Sequence, residues 1–273
     1  MAHSTIVKRL LFCLAVLTAL AAYIWWGNTS ITVTEFAVSA PTLPEEFSGY
    51  RIAQISDLHN AQFGDGNQTL LKKLAQCRPD IIVLTGDLID SRRTNVSVAA
   101  DFAARATRIA PTYYVTGNHE ARVPADYQQL RSAMLASGVH VLENEFVTLG
   151  RGSAEISLVG LHDPKFSSLQ DNLDTLASQT EAYTILLAHH PDLLDIYAHA
   201  DADLVFSGHA HGGQFRLPVL GGLIAPGQGL LPEYDAGLYQ KQDTQMIVSR
   251  GLGNSLFPFR LNNRPEIVVA ELN

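Results

Sequence analysis

The stretch RIAQISDLH, residues 51–59, is an apolar run that closes on Asp57 and His59. Four later stretches repeat that form: IIVLTGDLID (81–90), YYVTGNHE (113–120), TILLAHHPD (184–192) and DLVFSGHAH (203–211). Each begins like a strand and ends in side chains able to bind a metal. The residues at stake are Asp57, His59, Asp87, Asn118, His119, His189, His209 and His211. They mix carboxylate, amide and imidazole and include no thiolate. That is the ligand set of a hydrolytic two-metal centre rather than of a structural zinc site.

Taken singly, each residue has a structural reading. Asp57 or Asp87 alone would be a helix cap or a turn residue. His189 alone would be a satisfied core or rim histidine. Taken together, five ligand-bearing strand ends in succession are read as one metal site. The carboxyl ends of neighbouring strands form one rim of an open α/β sheet, so side chains there converge. Asp57 and His59 would share a face on a regular strand, but the chain is expected to turn at this point. Gly86, Gly117 and Gly208 precede Asp87, Asn118 and His209, and glycine permits the tight path such loops need.

Around these blocks the pattern is α/β. Residues 31–38 alternate apolar and polar, as a half-exposed strand does, and Ile81 to Leu84 form the continuous apolar run of a strand covered on both faces. Helices are expected over 68–77, capped by Asn67, over 96–109, capped by Asn95, and over 125–137, stopped by Gly138. Short strands follow at 139–142, 146–149 and 155–160. A strand and helix are expected near 183–188 and 191–199, and strands at 204–206, 214–217, 245–249 and 266–270. Residues 218–237, rich in Gly and Pro, are read as a long loop shaping a pocket.

The chain has 273 residues, 47% of them hydrophobic, and a net charge of −8. That supports a large core and gives no basic surface for a nucleic-acid partner. The two cysteines, Cys13 and Cys77, lie in unrelated segments, and no disulfide between them is expected. Near the N-terminus, Lys8 and Arg9 precede an uncharged run from Leu10 to Trp26 that ends in Tyr23, Trp25 and Trp26. This reads as a single-pass membrane anchor with an aromatic belt. A cleaved signal peptide, cut near Ala19-Leu20-Ala21, and a buried helix are the alternatives. Basic residues before the span and none after it until Arg51 place the rest of the chain outside the cytoplasm, in the periplasm. The division expected is an anchor over 1–27, a tether and first strand over 28–45, and one domain over 46–273.

Asp57-x-His59, Gly86-Asp87, Gly117-Asn118-His119-Glu120, His189-His190-Pro191 and Gly208-His209-Ala210-His211, in this order, resemble the calcineurin-like metallophosphoesterase superfamily. Ser249-Arg250-Gly251-Leu252-Gly253 with Arg260 and Pro265-Glu266-Ile267 further resemble its membrane-associated bacterial phosphodiesterase branch. The resemblance implies a four-layer β-sandwich flanked by helices, here preceded by a transmembrane helix. It implies that Asp57, His59 and His211 hold one divalent metal and that Asn118, His189 and His209 hold a second. Asp87 would bridge them, and His119 would act on the leaving oxygen or the phosphate charge. The metals would be Mn, Fe, Zn or Co. A metal-bridging hydroxide would then attack phosphorus in line.

The function expected is hydrolysis of a phosphodiester, phosphomonoester or pyrophosphate at the membrane surface, on a substrate that a lipid could carry. Arg250, Arg260 and His162 are the candidate substrate contacts; for the arginines a structural ion pair, and for His162 a turn before Pro164, are the competing readings. One alternative is a UDP-2,3-diacylglucosamine pyrophosphate hydrolase of lipid A synthesis, which would put the domain on the cytoplasmic face. A remoter one is a non-catalytic metal-binding scaffold.

Overall fold

The computed structural model describes residues 2–166, 168–169, 172–173 and 183–273. Two six-stranded sheets carry the domain. The first contains β1 (Thr32–Val38), β2 (Arg51–Ile55), β3 (Ile81–Thr85), β4 (Thr112–Val115), β5 (His140–Val141) and, from the far end of the chain, β16 (Glu266–Leu272); its order is β1-β16-β2-β3-β4-β5. The second contains β6 (Glu145–Arg151), β7 (Ala154–Gly160), β8 (Thr184–Leu187), β9 (Leu204–Ser207), β14 (Gly237–Lys241) and β15 (Thr244–Val248), in the order β14-β15-β9-β8-β7-β6. Strands β2, β3 and β4 run parallel, as do β7, β8, β9 and β15.

Strand periodicity decides which face each side chain covers. Ile81 and Val83 face the other sheet, while Ile82 and Leu84 face helices. Leu204 and Phe206 of β9 join the same inter-sheet core, with Ile52 of β2 and Ile247 of β15. On the outer face of the first sheet lie α2 (Gln68–Gln76), α3 (Val96–Ala106) and α5 (Pro124–Ala136). They contribute Leu70, Leu74, Phe102, Ala103 and Leu130 to a second core. Helix α6 (Leu194–His199), which follows the short α4 (Asn118–Arg122) and α5 in the chain, covers the second sheet through Leu194 and Tyr197. The result is the helix–sheet–sheet–helix layering that an α/β pattern implies.

Some local expectations are corrected. Neither Asn67 nor Asn95 caps its helix through its side chain. Asn67 is left-handed at φ 59°, and its Oδ1 accepts instead from Phe63 N at 2.8 Å. Helix α3 ends at Ala106, not 109. The long loop expected at 218–237 contains strands of two small hairpins: β10 (Arg216–Leu217) with β11 (Gly221–Gly222), and β12 (Ile224–Ala225) with β13 (Gly229–Leu230). The strand expected at 214–217 begins only at Arg216, because Gln214 turns at φ 56°. Strand β14 was not foreseen.

The N-terminal helix α1 runs from Ala2 to Thr29. At 1.5 Å per residue it is roughly 42 Å long, against about 30 Å of bilayer hydrocarbon. It is the one helix among the described residues that is long and apolar enough to cross a membrane. Its last turns touch the domain: Asn28 Oδ1 accepts from Arg260 N at 2.8 Å, and the Arg264 guanidinium lies 4.7 Å from the Trp26 ring centre. Cys13 is exposed on this helix and Cys77 is buried.

The inter-sheet core sets the stability of this arrangement. Replacing fully buried Phe206 by Ala should cost about 3–5 kcal/mol in urea unfolding. A loss under about 1 kcal/mol would show that the two sheets do not unfold as one packed unit.

Candidate metal centre

The parallel strands of both sheets deliver their carboxyl ends to one place. Asp57 and His59 follow β2, Asp87 follows β3, and Asn118 and His119 open α4 after β4. From the second sheet come His189, after β8, and His209 and His211, after β9. All eight side chains are buried. The turn expected after β2 is present: Asp57 and His59 are left-handed, at φ 52° and 45°. Asp87, His209 and His211 are left-handed as well, at φ 53°, 63° and 50°. Such backbone is costly for residues other than Gly and clusters at functional sites. At Gly208 the close approach is from the ligand itself, since a Cβ would lie 2.5 Å from Asp57 Oδ2 and 1.9 Å from Ser56 Oγ.

The donor atoms form three overlapping groups: Asp57, His59 and His211; His59, Asp87 and His119; and Asp87, His189 and His209. Asp87 belongs to two of them. Its Oδ1 accepts from His119 N at 2.7 Å, and its Oδ2 faces Nε2 of His189 at 3.3 Å and of His59 at 3.6 Å. His211 Nε2 lies 3.4 Å from Asp57 Oδ1 and 3.2 Å from His59 Nε2.

These contacts fit cations. His189 Nδ1 lies 2.7 Å from Thr85 O, so it carries the proton and donates, leaving Nε2 as a lone pair aimed at Asp87. That Nε2 is buried without a hydrogen-bond partner. A backbone carbonyl fixing the tautomer of a histidine is the usual support of a metal ligand. A proton can take the cation's place. Burial alone would lower the His189 pKa, but the Asp87 carboxylate outweighs it and pushes the group up to about 10. Asp87 is held well below the ordinary carboxylate value, because the neighbouring histidines outweigh the effect of its burial. Burial holds His59 and His209 well below the usual imidazole value and lowers His211 to about 4.

Asn118 completes the pattern. One terminal atom of its amide lies 2.7 Å from His209 Nδ1, and the other lies 3.0 and 3.1 Å from the Arg122 guanidinium. With its NH2 turned toward His209 the amide donates to Nδ1; with its oxygen there it meets either an Nδ1–H donor or a cation that both could hold.

His119 stands apart. Ser91 N donates to its Nδ1 at 3.0 Å, so the proton of the neutral ring sits on Nε2. That nitrogen lies 4.0 Å from Asp87 Oδ2 and 3.3 Å from Ser255 Oγ.

Several participants were not given roles from sequence. Glu120 is fully buried; its carboxylate accepts from Asp87 N (2.9 Å), Gly117 N (2.8 Å) and Ile89 N (3.1 Å). It ties the β3 and β4 loops together. Burial and nearby Asp87 raise its pKa to about 8. Its place three residues after Gly117, at a helix start, is the acidic half of a capping box; glycine supplies no side chain for the other half. His190 pairs with Asp163 at 2.9 Å beside His209, a contact between distant blocks with no local signal.

The three candidate substrate contacts each hold partners within the fold. Arg250 forms an ion pair with Glu266 at 2.7 Å. Arg260 is 1% exposed and donates to Arg250 O, Gly253 O and Asn254 Oδ1. Burial lowers its pKa to about 10. The His162 ring stacks on Phe166 at 3.9 Å, with Nδ1 3.0 Å from Thr116 Oγ1. All three are engaged within the fold.

Comparison with known proteins agrees with this geometry. YkuE of Bacillus subtilis, an uncharacterized metallophosphoesterase, is 32% identical over 89% of this chain and 85% of its own length. The phosphodiesterase YaeI of Escherichia coli is 30% identical over 82% of each chain. The sulfate thiohydrolase SoxB of Thermus thermophilus shares the fold at a TM-score of 0.51 and 12% identity, over 84% of this chain and 57% of that one. Residues 50–213, more than half of the chain, match the Calcineurin-like phosphoesterase family, and the chain belongs to it.

Proposed function

We propose that this chain is a dinuclear metal-dependent phosphoesterase acting at a membrane surface on a phosphodiester, phosphomonoester or pyrophosphate bond. The observation that carries the reading is Asp87, whose carboxylate groups with His189 and His209 on one side and with His59 and His119 on the other, His59 in turn grouping with Asp57 and His211. In this reading Asp57, His59 and His211 hold one cation, Asn118, His189 and His209 hold the other, and Asp87 bridges them. When bound, two such cations supply Lewis-acid charge and acidify a water.

The residues of the chain do the rest. In hydrolysis the water oxygen bonds to phosphorus, the P–O bond to the leaving group breaks, and the leaving oxygen needs a proton. His119 is placed to give it. Burial lowers its pKa; Asp87 opposes this only in part, and Arg122 adds to the lowering. An arriving phosphate adds negative charge, which acts in the opposite direction and favours the imidazolium. Its Nδ1 rests on Ser91 N–H in the neutral state, so Nε2 is the nitrogen facing the site. Glu120 keeps the Asp87 and Gly117 loops in register, which fixes the distance between bridging ligand and acid.

The domain is assigned to 46–273, with 1–27 as an uncleaved anchor and 28–45 joining the two. Lys8 and Arg9 before the span favour a cytoplasmic N-terminus and an extracytoplasmic domain. A C-terminal alkaline phosphatase fusion should therefore be active in cells; activity only of a cytoplasmic reporter would reverse the topology.

Turnover of bis-p-nitrophenyl phosphate with Mn²⁺ tests the chemistry. Asp87→Ala should lose bound metal and activity together. His119→Ala should keep its metal and lose about 10²–10⁴ in kcat. Well-folded wild-type protein without turnover on any metal and ester would overturn the reading.

Metal affinity should depend on pH through His189. Its raised pKa stabilises the metal-free fold fully below its ordinary value of 6.5, and that contribution is lost as pH rises through about 10. A metal at Nε2 must displace this proton, so apparent affinity should rise by about tenfold per pH unit across that window. Chelator competition at pH 6.5 and 8 measures it, and equal affinities would remove His189 from the ligand set.

A further inference from the structure

A cavity of about 390 Å³ opens beside the metal centre, lined by His211, Gln214, Ile224, Ala225, Ser255 and Leu256, among others. Its size suits a small-molecule site. Two of its walls belong to the reaction site already described: His211 is a proposed ligand, and Ser255 Oγ touches His119 Nε2 at 3.3 Å. The third polar wall, Gln214, has its Nε2 engaged with Phe259 O at 2.7 Å. The remaining side chains, from Ile224 to Pro226 and at Leu256 and Phe257, are apolar, and Gly227 and Gly229 add none.

One segment of the cavity wall also holds the last turns of α1. Residues 254–264 supply Ser255, Leu256 and Phe257 to the wall, and the same segment holds the helix. Asn254 Nδ2 and Arg260 N both donate to Asn28 Oδ1, and Tyr23 Oη donates to Asn262 Oδ1. The β10–β11 hairpin rests on this segment through Arg216 N and Leu261 O at 3.0 Å. It carries exposed Val219 and Leu220, while β13 and the residue after it carry exposed Leu230 and Leu231. Leu256, on the cavity wall, is 73% exposed. Exposed apolar side chains carried by the hairpins and the wall of one cavity suit a membrane or ligand surface.

We propose that this cavity receives an aliphatic chain of the phosphoester, so that the substrate is a lipid of the membrane in which α1 is anchored. This rests on the phosphoesterase reading. The phosphate would lie at the metal centre, and the chain would run past Ser255 into the pocket between Ile224, Ala225 and Leu256. The exposed leucines would sit at the bilayer surface from which the lipid enters.

Two series of esters test it with the full chain in detergent: alkyl phosphates, and p-nitrophenyl alkyl phosphodiesters, each from methyl to dodecyl and below the micellar concentration. In at least one series kcat/KM should rise by about two- to fourfold per methylene and then level off. Leu256→Asp should cut the ratio of long-chain to short-chain kcat/KM at least tenfold, a ratio in which any general loss of activity cancels. Equal kcat/KM along both series, or nucleoside phosphodiesters outrunning every alkyl ester, would overturn the lipid assignment and leave the phosphoesterase standing. A slope unchanged in Leu256→Asp would overturn this cavity as its origin. No turnover of any ester would bring down the phosphoesterase reading itself.

Discussion

Buried negative charge next to imidazole lone pairs is the constraint on which the arrangement turns. Asp87 is 1% exposed, and Asp57 is fully buried. Taking such charges from water costs several kcal/mol each unless they are compensated. Backbone donors compensate part of it: His119 N serves Asp87, and His209 N with Ser56 Oγ serves Asp57. What remains is Asp87 Oδ2, facing three imidazole nitrogens at 3.3, 3.6 and 4.0 Å. Protons or cations must lie among them.

The scaffold meets that constraint through strand ends. Parallel strands in two stacked sheets bring Asp57, Asp87 and Asn118 from one sheet and His189, His209 and His211 from the other to a single rim. Left-handed backbone at Asp57, His59, Asp87, His209 and His211 turns side chains inward that an extended strand would point to alternate faces. This local strain is held in place by the inter-sheet core and by Glu120, whose carboxylate takes three backbone N–H groups from two loops. Packing and chemistry are therefore one construction: loosening the core would misplace ligands before it unfolded the chain.

The segment 254–264 gives the site a direction. It touches the reaction centre through Ser255 and Arg260, and it touches the last turns of α1 through Asn254, Arg260, Asn262 and Arg264. Arg250 pairs with Glu266, and Arg260 donates to Arg250 O and Gly253 O. Buried Arg260 thereby satisfies backbone carbonyls that water cannot reach.

Much of the site was legible because its signal is local. Apolar runs ending in Asp, Asn or His specify strand and ligand in the same few residues, and Gly86, Gly117 and Gly208 mark the turns between them. Alternation and continuous apolar runs likewise gave most strands and helices. The caps at Asn67 and Asn95 were misread, because a side chain chooses among nearby partners only once the chain has folded, and Asn67 took Phe63 N. Strand β14, the small hairpins of 216–230 and the Asp163–His190 pair carried no periodic or motif signal. The sequence by itself determined which groups could bind metal and where strands would carry them, since both depend on neighbours along the chain. Only the tertiary structure decided which side chains gather around Asp87, that Glu120 clasps their loops, and that an apolar cavity opens beside them, because those contacts join residues far apart in sequence.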